Sequence, residues 1–412
     1  MAKLLCWLLL AALVSAKVRY DNHQVLLLLA EDDAQEEALK ELANSSDGLH
    51  IWTRPGASRQ VGYAMVPPDR MLGFKKKLDA LGIKSEVHIA DMQASIDAER
   101  TTARSSGSYD WTDYYDLETI NAFLDSLVSK YPGVVTPLVG GDSYEGRKIR
   151  GVKLSFKEGN PGVFIEGGIH ASEWVSPATV TYILDKLLTS EDPVIKDLAQ
   201  SFTFYIFPVV NPDGYAYSHE TDRLWRKNRR PLPEGCYGVD LNRNWDFHWG
   251  EAGASNESCN RRYWGPAPFS EVETRTLSEY ITGISHGLDV YLSFHSYLQM
   301  ILFPYGHSSE RVHNFDELMS VGQKAVAAIA EYNGTQYQVG NVFDTIYPAT
   351  GISMDWVRST FDTRFTYTWE LRDTGHYGFL LPTDQILGTA EEALRSVRVI
   401  LQHAKEQLSG GH

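Results

Sequence analysis

His170 and Glu173 set an imidazole and a carboxylate three residues apart in Gly167-Gly168-Ile169-His170-Ala171-Ser172-Glu173-Trp174. Side chains at i and i+3 near a helix start can reach one point, and a borderline-soft dication such as zinc binds both ligand types. A third imidazole from elsewhere would leave the fourth position open for water, which separates a catalytic zinc site from a closed structural one. Alone, H-x-x-E is weak, because most His and Glu pairs on helices are solvated surface. Other stretches strengthen it. His295 ends the run Leu292-Ser293-Phe294-His295 and offers a third nitrogen. Arg226 stands in Arg223-Leu224-Trp225-Arg226-Lys227-Asn228, and Asn242 and Arg243 in Gly238-Val239-Asp240-Leu241-Asn242-Arg243-Asn244-Trp245. Glu370 closes the apolar stretch Thr366-Tyr367-Thr368-Trp369-Glu370.

Periodicity shows which elements must carry these residues. An apolar run at 163–166 reads as a buried strand, and Val180, Ile183, Leu184, Leu187 and Leu188 repeat at helical spacing over 176–189. His170 and Glu173 therefore sit where a strand hands over to a helix. Further strands are expected at 149–154, 202–210, 288–295 and 364–371, with helices near 117–131, 314–332 and 390–408. Alternating strands and helices imply a mainly parallel sheet covered on both faces, with its site at the strand carboxyl ends. Upstream, strands at 25–29, 64–66 and 83–89 interleave with helices at 36–42 and 68–81, which suggests a small open α/β sandwich. Residues 94–108, including Arg100 and Arg104, are small, polar and basic without apolar periodicity. They read as a connector open to trypsin-like cleavage near Arg104.

The 412-residue chain is 43% hydrophobic, enough for a large core and a small extra domain. Its net charge of −15, with no Lys/Arg-rich block, makes nucleic acid an unsuitable partner. Residues 1–16 carry Lys3, an apolar run and Val14-Ser15-Ala16, the pattern of a cleaved secretory signal too short to span a bilayer. No later stretch approaches a membrane anchor. Once the signal is removed, Cys236 and Cys259 remain, and in an oxidising compartment they are expected to pair. Closing such a loop of about 24 residues contributes roughly 3 kcal/mol in the chain-entropy model. Sequons stand at Asn44, Asn256 and Asn333.

These motifs, in this order, make the sequence resemble the zinc metallocarboxypeptidases of the pancreatic A/B type, from prosegment to C-terminus. The resemblance implies a propeptide sandwich masking an α/β catalytic domain with a mixed eight-stranded sheet. The expected division is a signal at 1–16, a prosegment at 17–93, a connector at 94–108 and a catalytic domain at 109–412. Carried over by position, His170, Glu173 and His295 match the ligands of one zinc ion, Glu370 the general base, and Arg226 the cation beside the scissile carbonyl. Asn242, Arg243 and Tyr347 match the residues that hold the substrate's terminal carboxylate. Zinc brings the pKa of its water towards about 7, within reach of a carboxylate base. Asp240 is either a hydrogen-bond partner of a ligand histidine or a structural turn residue. Glu370 could instead pair with Arg372, and Tyr347 could be a turn aromatic before Pro348.

By the same resemblance, Met354 occupies the position that sets the pocket for the last side chain. An acid there marks enzymes that remove Lys and Arg; Met354 supplies none, and with Ile346, Ile352 and Thr368 it favours aliphatic or aromatic ends. Ile352 replaces a usual glycine, and Ser172 a frequent arginine between the two ligands. The expected protein is a secreted, monomeric digestive proenzyme. Its partners are peptides with a free C-terminus and an activating trypsin-like protease. A non-catalytic binding protein on the same fold would be expected to have lost Glu370 or a ligand, and none is lost here.

Overall fold

The computed structural model describes residues 17–44, 50–54, 61–101 and 109–409. The expected signal at 1–16 and Arg104 fall outside them. Four strands form the first sheet: β1 (Gln24–Leu29), β2 (His50–Arg54), β3 (Val61–Val66) and β4 (Lys84–Ile89), in the antiparallel order β2-β3-β1-β4. Strand β1 reads as unbroken apolar sequence because both of its faces are covered. Leu26 and Leu28 point, with Ala64 and Val66, into a core closed by Leu39 and Leu42 of one helix and Phe74 and Leu78 of another. Val25, Tyr63 and Met65 point the other way and pack with Leu224 and Leu380 of the larger domain.

A helix, Met92–Thr101, follows β4 directly. The sequence around it reads as a connector because its apolar side is only Met92 and Ile96, four residues apart. Those two side chains are buried against both domains, so the helix depends on a tertiary contact that periodicity cannot register.

The second sheet has eight strands: β5 (Val135–Asp142), β6 (Lys148–Leu154), β7 (Gly162–Gly167), β8 (Thr203–Phe207), β9 (Leu288–Ser296), β10 (Met300–Phe303), β11 (Gln338–Asn341) and β12 (Phe365–Leu371). Their order is β11-β10-β12-β9-β7-β8-β6-β5. The centre, β12-β9-β7-β8, is parallel, whereas β6 against β8 and β10 against β12 are antiparallel, so the sheet is mixed. Strand alternation divides the core. Val163, Ile165, Val290, Leu292, Phe294, Phe365, Tyr367 and Trp369 face helices that include Val175–Thr189, Phe315–Asn333 and Ile386–Ser409. Phe164 and Tyr291 face the opposite cluster, with Leu277, Trp245, Met354 and Trp356. The same alternation puts Glu166, Ser293, His295, Thr368 and Glu370 on this second face. Among the described residues, no helix is long and apolar enough to cross a membrane.

Candidate active site

The two middle strands bring the first pair together. In the parallel register of β9 and β12, Glu370 lies beside His295. The neighbouring strand β7 ends in Gly167-Gly168, and the chain turns there into the loop that carries His170 and Glu173. Gly168 adopts φ +65°, and a Cβ on Gly167 would lie 2.8 Å from Ser176 Oγ, so this tight hand-over from strand to helix needs glycine at both positions. Ser176 Oγ fastens the loop to β9, donating to Phe294 O at 2.6 Å and accepting from Gly168 N at 3.0 Å.

The three predicted ligands meet in a buried cluster. His170 Nδ1 lies 2.9 Å from Glu173 Oε1 and 3.0 Å from His295 Nδ1, and His295 Nδ1 lies 3.2 Å from Glu173 Oε2. A zinc ion with tetrahedral bonds of about 2.0–2.1 Å sets its ligand atoms about 3.3 Å apart, so this donor set has the right types and nearly the right spacing. Protonation agrees. Burial, reinforced by Arg226, pushes His170 below the usual imidazole range and keeps it neutral. Burial alone would raise Glu173, but the two imidazoles hold it well below the usual carboxylate range. Asp240 fills both roles left open by the sequence: fully buried, its Oδ1 faces His170 Nε2 at 3.2 Å and also accepts from Asn242 N at 3.0 Å, capping the turn Leu241–Arg243. A proton held on Nε2 directs the Nδ1 lone pair at the metal position.

Asp240 also fixes the cation. Its Oδ2 accepts from Arg226 Nε at 2.9 Å and lies 2.8 Å from Nη2, leaving Nη1 3.6 Å from Glu173 Oε1, at the edge of the donor cluster. Arg243 is buried and oriented by Gly253 O at 3.0 Å and Asn242 O at 2.6 Å; its Nη2 reaches the Tyr347 hydroxyl at 3.3 Å. Tyr347 is therefore drawn to the arginine rather than left as a turn aromatic. Asn242 Oδ1 accepts from Ser353 N at 2.9 Å, and its Nδ2 stands 3.5 Å from His295 Nε2. Glu370 does not pair with Arg372, which binds Glu392 instead. Burial pushes Glu370 up to about 8, with Glu173 adding to the rise and His295 and Arg226 opposing it.

Met354, Ile346 and Ile352 are buried in one apolar cluster with Ala349, and the Thr368 hydroxyl donates to Met354 Sδ at 3.3 Å. Ser172 is fully buried, and Arg261, from a different loop, brings Nη2 to 3.5 Å from its Oγ. A guanidinium from elsewhere in the chain thus stands beside residue 172. Cys236 and Cys259 form the expected disulfide, with Cα atoms 5.3 Å apart.

Sequence reasoning missed two carboxylates behind the pocket. Glu166, on β7, accepts from Tyr291 at 2.6 Å, Ser293 at 2.9 Å and Ser353 at 3.1 Å. Asp355 Oδ2 accepts from Gly306 N at 2.7 Å. The signal for Glu166 was present: an acid inside the apolar run Val163-Phe164-Ile165-Glu166 needs buried donors to be tolerated there.

Comparison with known proteins agrees with this geometry. Residues 120–396 match the family model described as zinc carboxypeptidase, and residues 27–99 match the carboxypeptidase activation peptide. The chain is 44% identical to zinc carboxypeptidase A 1 of Anopheles gambiae, over 94% of this chain and 90% of that protein. It is 37% identical to carboxypeptidase A1 of Bos taurus, over 97% and 99%. It is also 45% identical to carboxypeptidase B of Astacus astacus, over 73% and 100%. Among solved structures, carboxypeptidase A from Helicoverpa armigera superposes with a TM-score of 0.86 at 28% identity, covering 94% of this chain and 98% of that one. Thrombin activatable fibrinolysis inhibitor superposes with a TM-score of 0.83 at 31% identity, covering 94% and 100%. A buried His-Glu-His cluster beside a glutamate at the carboxyl end of a central strand, preceded by a docked four-stranded prosegment, therefore places this chain in the zinc carboxypeptidase family, as a metallocarboxypeptidase that carries an activation peptide.

Proposed function

We propose that the protein is a secreted digestive proenzyme that removes apolar C-terminal residues from peptides. Its signal is residues 1–16, its prosegment 17–93, its connector 94–108 with activation near Arg104, and its catalytic domain 109–412. The observation that carries the reading is the meeting, at the carboxyl ends of the central strands, of three buried donors, the Glu370 carboxylate and the Arg243–Tyr347 pair. His170, Glu173 and His295 hold one zinc ion, which supplies Lewis acidity and an acidified water when bound. Glu370 takes a proton from the attacking water and passes it to the leaving amine nitrogen. Arg226, held by Asp240, donates to the scissile carbonyl oxygen as negative charge gathers there. Arg243, Asn242 and Tyr347 grip the terminal carboxylate, so only chain ends are cut. Met354, Ile346, Ile352 and Thr368 favour an apolar last side chain. That preference is a modest one, because apolar pockets discriminate by only about 1–3 kcal/mol per methylene.

Blocked dipeptides ending in Phe, Leu, Lys and Glu test this, assayed before and after trypsin, with and without a chelator. The expected result is trypsin-dependent, chelator-sensitive release of Leu and Phe. Preferred release of Lys would overturn the role given to Met354. Full activity before trypsin would overturn the proenzyme.

A further inference from the structure

The carboxylate anchor and the donor cluster fix the direction in which a substrate lies. Its last residue sits at Arg243 and Tyr347, its scissile carbonyl at Arg226, and the preceding residues run out past Ser172, between the two ligand residues. Two arginines stand on that side. Arg223 is buried, its guanidinium 3.6 Å over the Trp174 ring, with Nη1 donating to Ser172 O at 2.8 Å and Nη2 to Phe379 O at 2.7 Å. Its remaining edge grips a carboxylate already: Glu99 of the helix Met92–Thr101, upstream of the expected cut, through Nε at 2.6 Å and Nη2 at 2.8 Å. Arg261 donates to Leu224 O at 2.8 Å, reaches Ser172 Oγ at 3.5 Å and lies 5.3 Å over the Phe379 ring.

The two cations differ in one respect. Arg223 has a carboxylate, whereas Arg261 makes no ion pair with a described carboxylate. Burial, with Arg226 as the next cause, lowers Arg261 to about 10, and the more distant charges of Asp222 and Glu173 only partly oppose the fall. Its hydrogen bonds to Leu224 and Ser172 come from the catalytic domain, so they survive departure of the prosegment, and the same holds for Arg223 on Trp174, Ser172 and Phe379. Departure of Glu99 therefore leaves two preorganised guanidinium groups on one wall, neither in an ion pair with a described carboxylate.

We propose that Arg261, beside Arg223, is a specificity-determining residue that selects peptides carrying aspartate or glutamate at the second or third residue before the scissile bond. Glu99 is the internal stand-in for that acid: a carboxylate on the same wall, in the bidentate geometry an arginine fork prefers. The inference rests on the carboxypeptidase reading and adds the upstream half of its substrate.

The test uses trypsin-activated full-length protein and blocked tetrapeptides with a common Leu C-terminus and common penultimate Ala. The second and third residues before the cut are varied in turn among Glu, Gln and Lys. We expect kcat/KM for Glu to exceed that for Gln by about tenfold at one of these positions, through KM, with Lys lowest and the gap shrinking at high salt. Arg261→Gln should level Glu and Gln, and Arg261→Glu should reverse the order in favour of Lys, a reversal that misfolding cannot imitate. Equal rates for Glu and Gln in the unaltered enzyme would overturn the inference, as would a Glu preference left intact in Arg261→Gln. Failure to release Leu from the Gln peptides would overturn the peptidase reading and this inference with it.

Discussion

His170, Glu173, His295, Glu370, Arg226 and Arg243 were legible because each is a residue type that must do work, set in a short motif. Their supports were not. Glu166 finds its hydroxyl partners on residues 291, 293 and 353, and Arg261 finds Ser172 across 89 positions of sequence. Such pairings have no local period, so only the fold discloses them. Glu370→Gln is expected to lower kcat by about 10²–10⁴-fold, the usual worth of a positioned general base, while metal analysis still finds zinc. Arg226→Ala should cost about 10²–10³ in kcat with a smaller change in KM, because its hydrogen bond is made mainly to charge that develops in the transition state. Steady-state kinetics on a Leu-terminated dipeptide checks both. A buried acid far from the chemistry gives a pH signature. Burial pushes Glu273 up to about 7 from 4.5, although Tyr144 N and Asn228 donate to it. Between those values the folded protein holds a proton that the unfolded chain has released, so stability falls as pH rises through this window. Glu273→Gln should remove that fall, which is on the order of 2–3 kcal/mol, as thermal unfolding at pH 5 and pH 8 would show.

At the scale of elements, the strands buried on both faces announced themselves as apolar runs, and β7, β9 and β12 were placed within a residue or two. Strands β5, β10 and β11 were not foreseen. β5 and β11 are the sheet's edges, and β10 joins β11 to the centre; β5 contains Pro137 and two glycines, and β11 has four residues. Short or Gly-bearing edge strands carry a weak propensity signal. The helix Met92–Thr101 was missed because its apolar side is completed by another domain. Ile96→Asp should therefore leave the four-stranded sheet folded while loosening its hold on Leu224 and Leu380. Uncleaved Ile96→Asp protein is expected to show measurable peptidase activity where the unaltered proenzyme shows little, and the dipeptide assay before trypsin treatment decides it.

Across the whole molecule, two sheets of different size meet, among the described residues, through contacts that include a small apolar cluster, the Arg223–Glu99 pair, and hydrogen bonds from Tyr20 to Asp222 at 2.8 Å, Val18 N to Thr221 O at 2.8 Å, and His88 to Gly375 O at 2.8 Å. The order of the two domains was legible from the change in composition between them, but the face on which they meet was not, since it depends on side chains nearly three hundred positions apart. Every one of these contacts lies to the N-terminal side of Arg104 or within the catalytic domain, so none of them is severed when the chain is cut there. Scission and unmasking are then separate events on separate clocks. The cut turns one chain into a two-part complex, and dilution, warming or salt decides how soon its smaller part falls away. Glu99→Gln should shorten the delay between the appearance of cleaved chain on a gel and the onset of peptide hydrolysis without changing the rate of cleavage. A population of such molecules would behave as a fuse: the activating protease sets how many are lit, and the strength of one buried ion pair and a few apolar side chains sets how long each one burns.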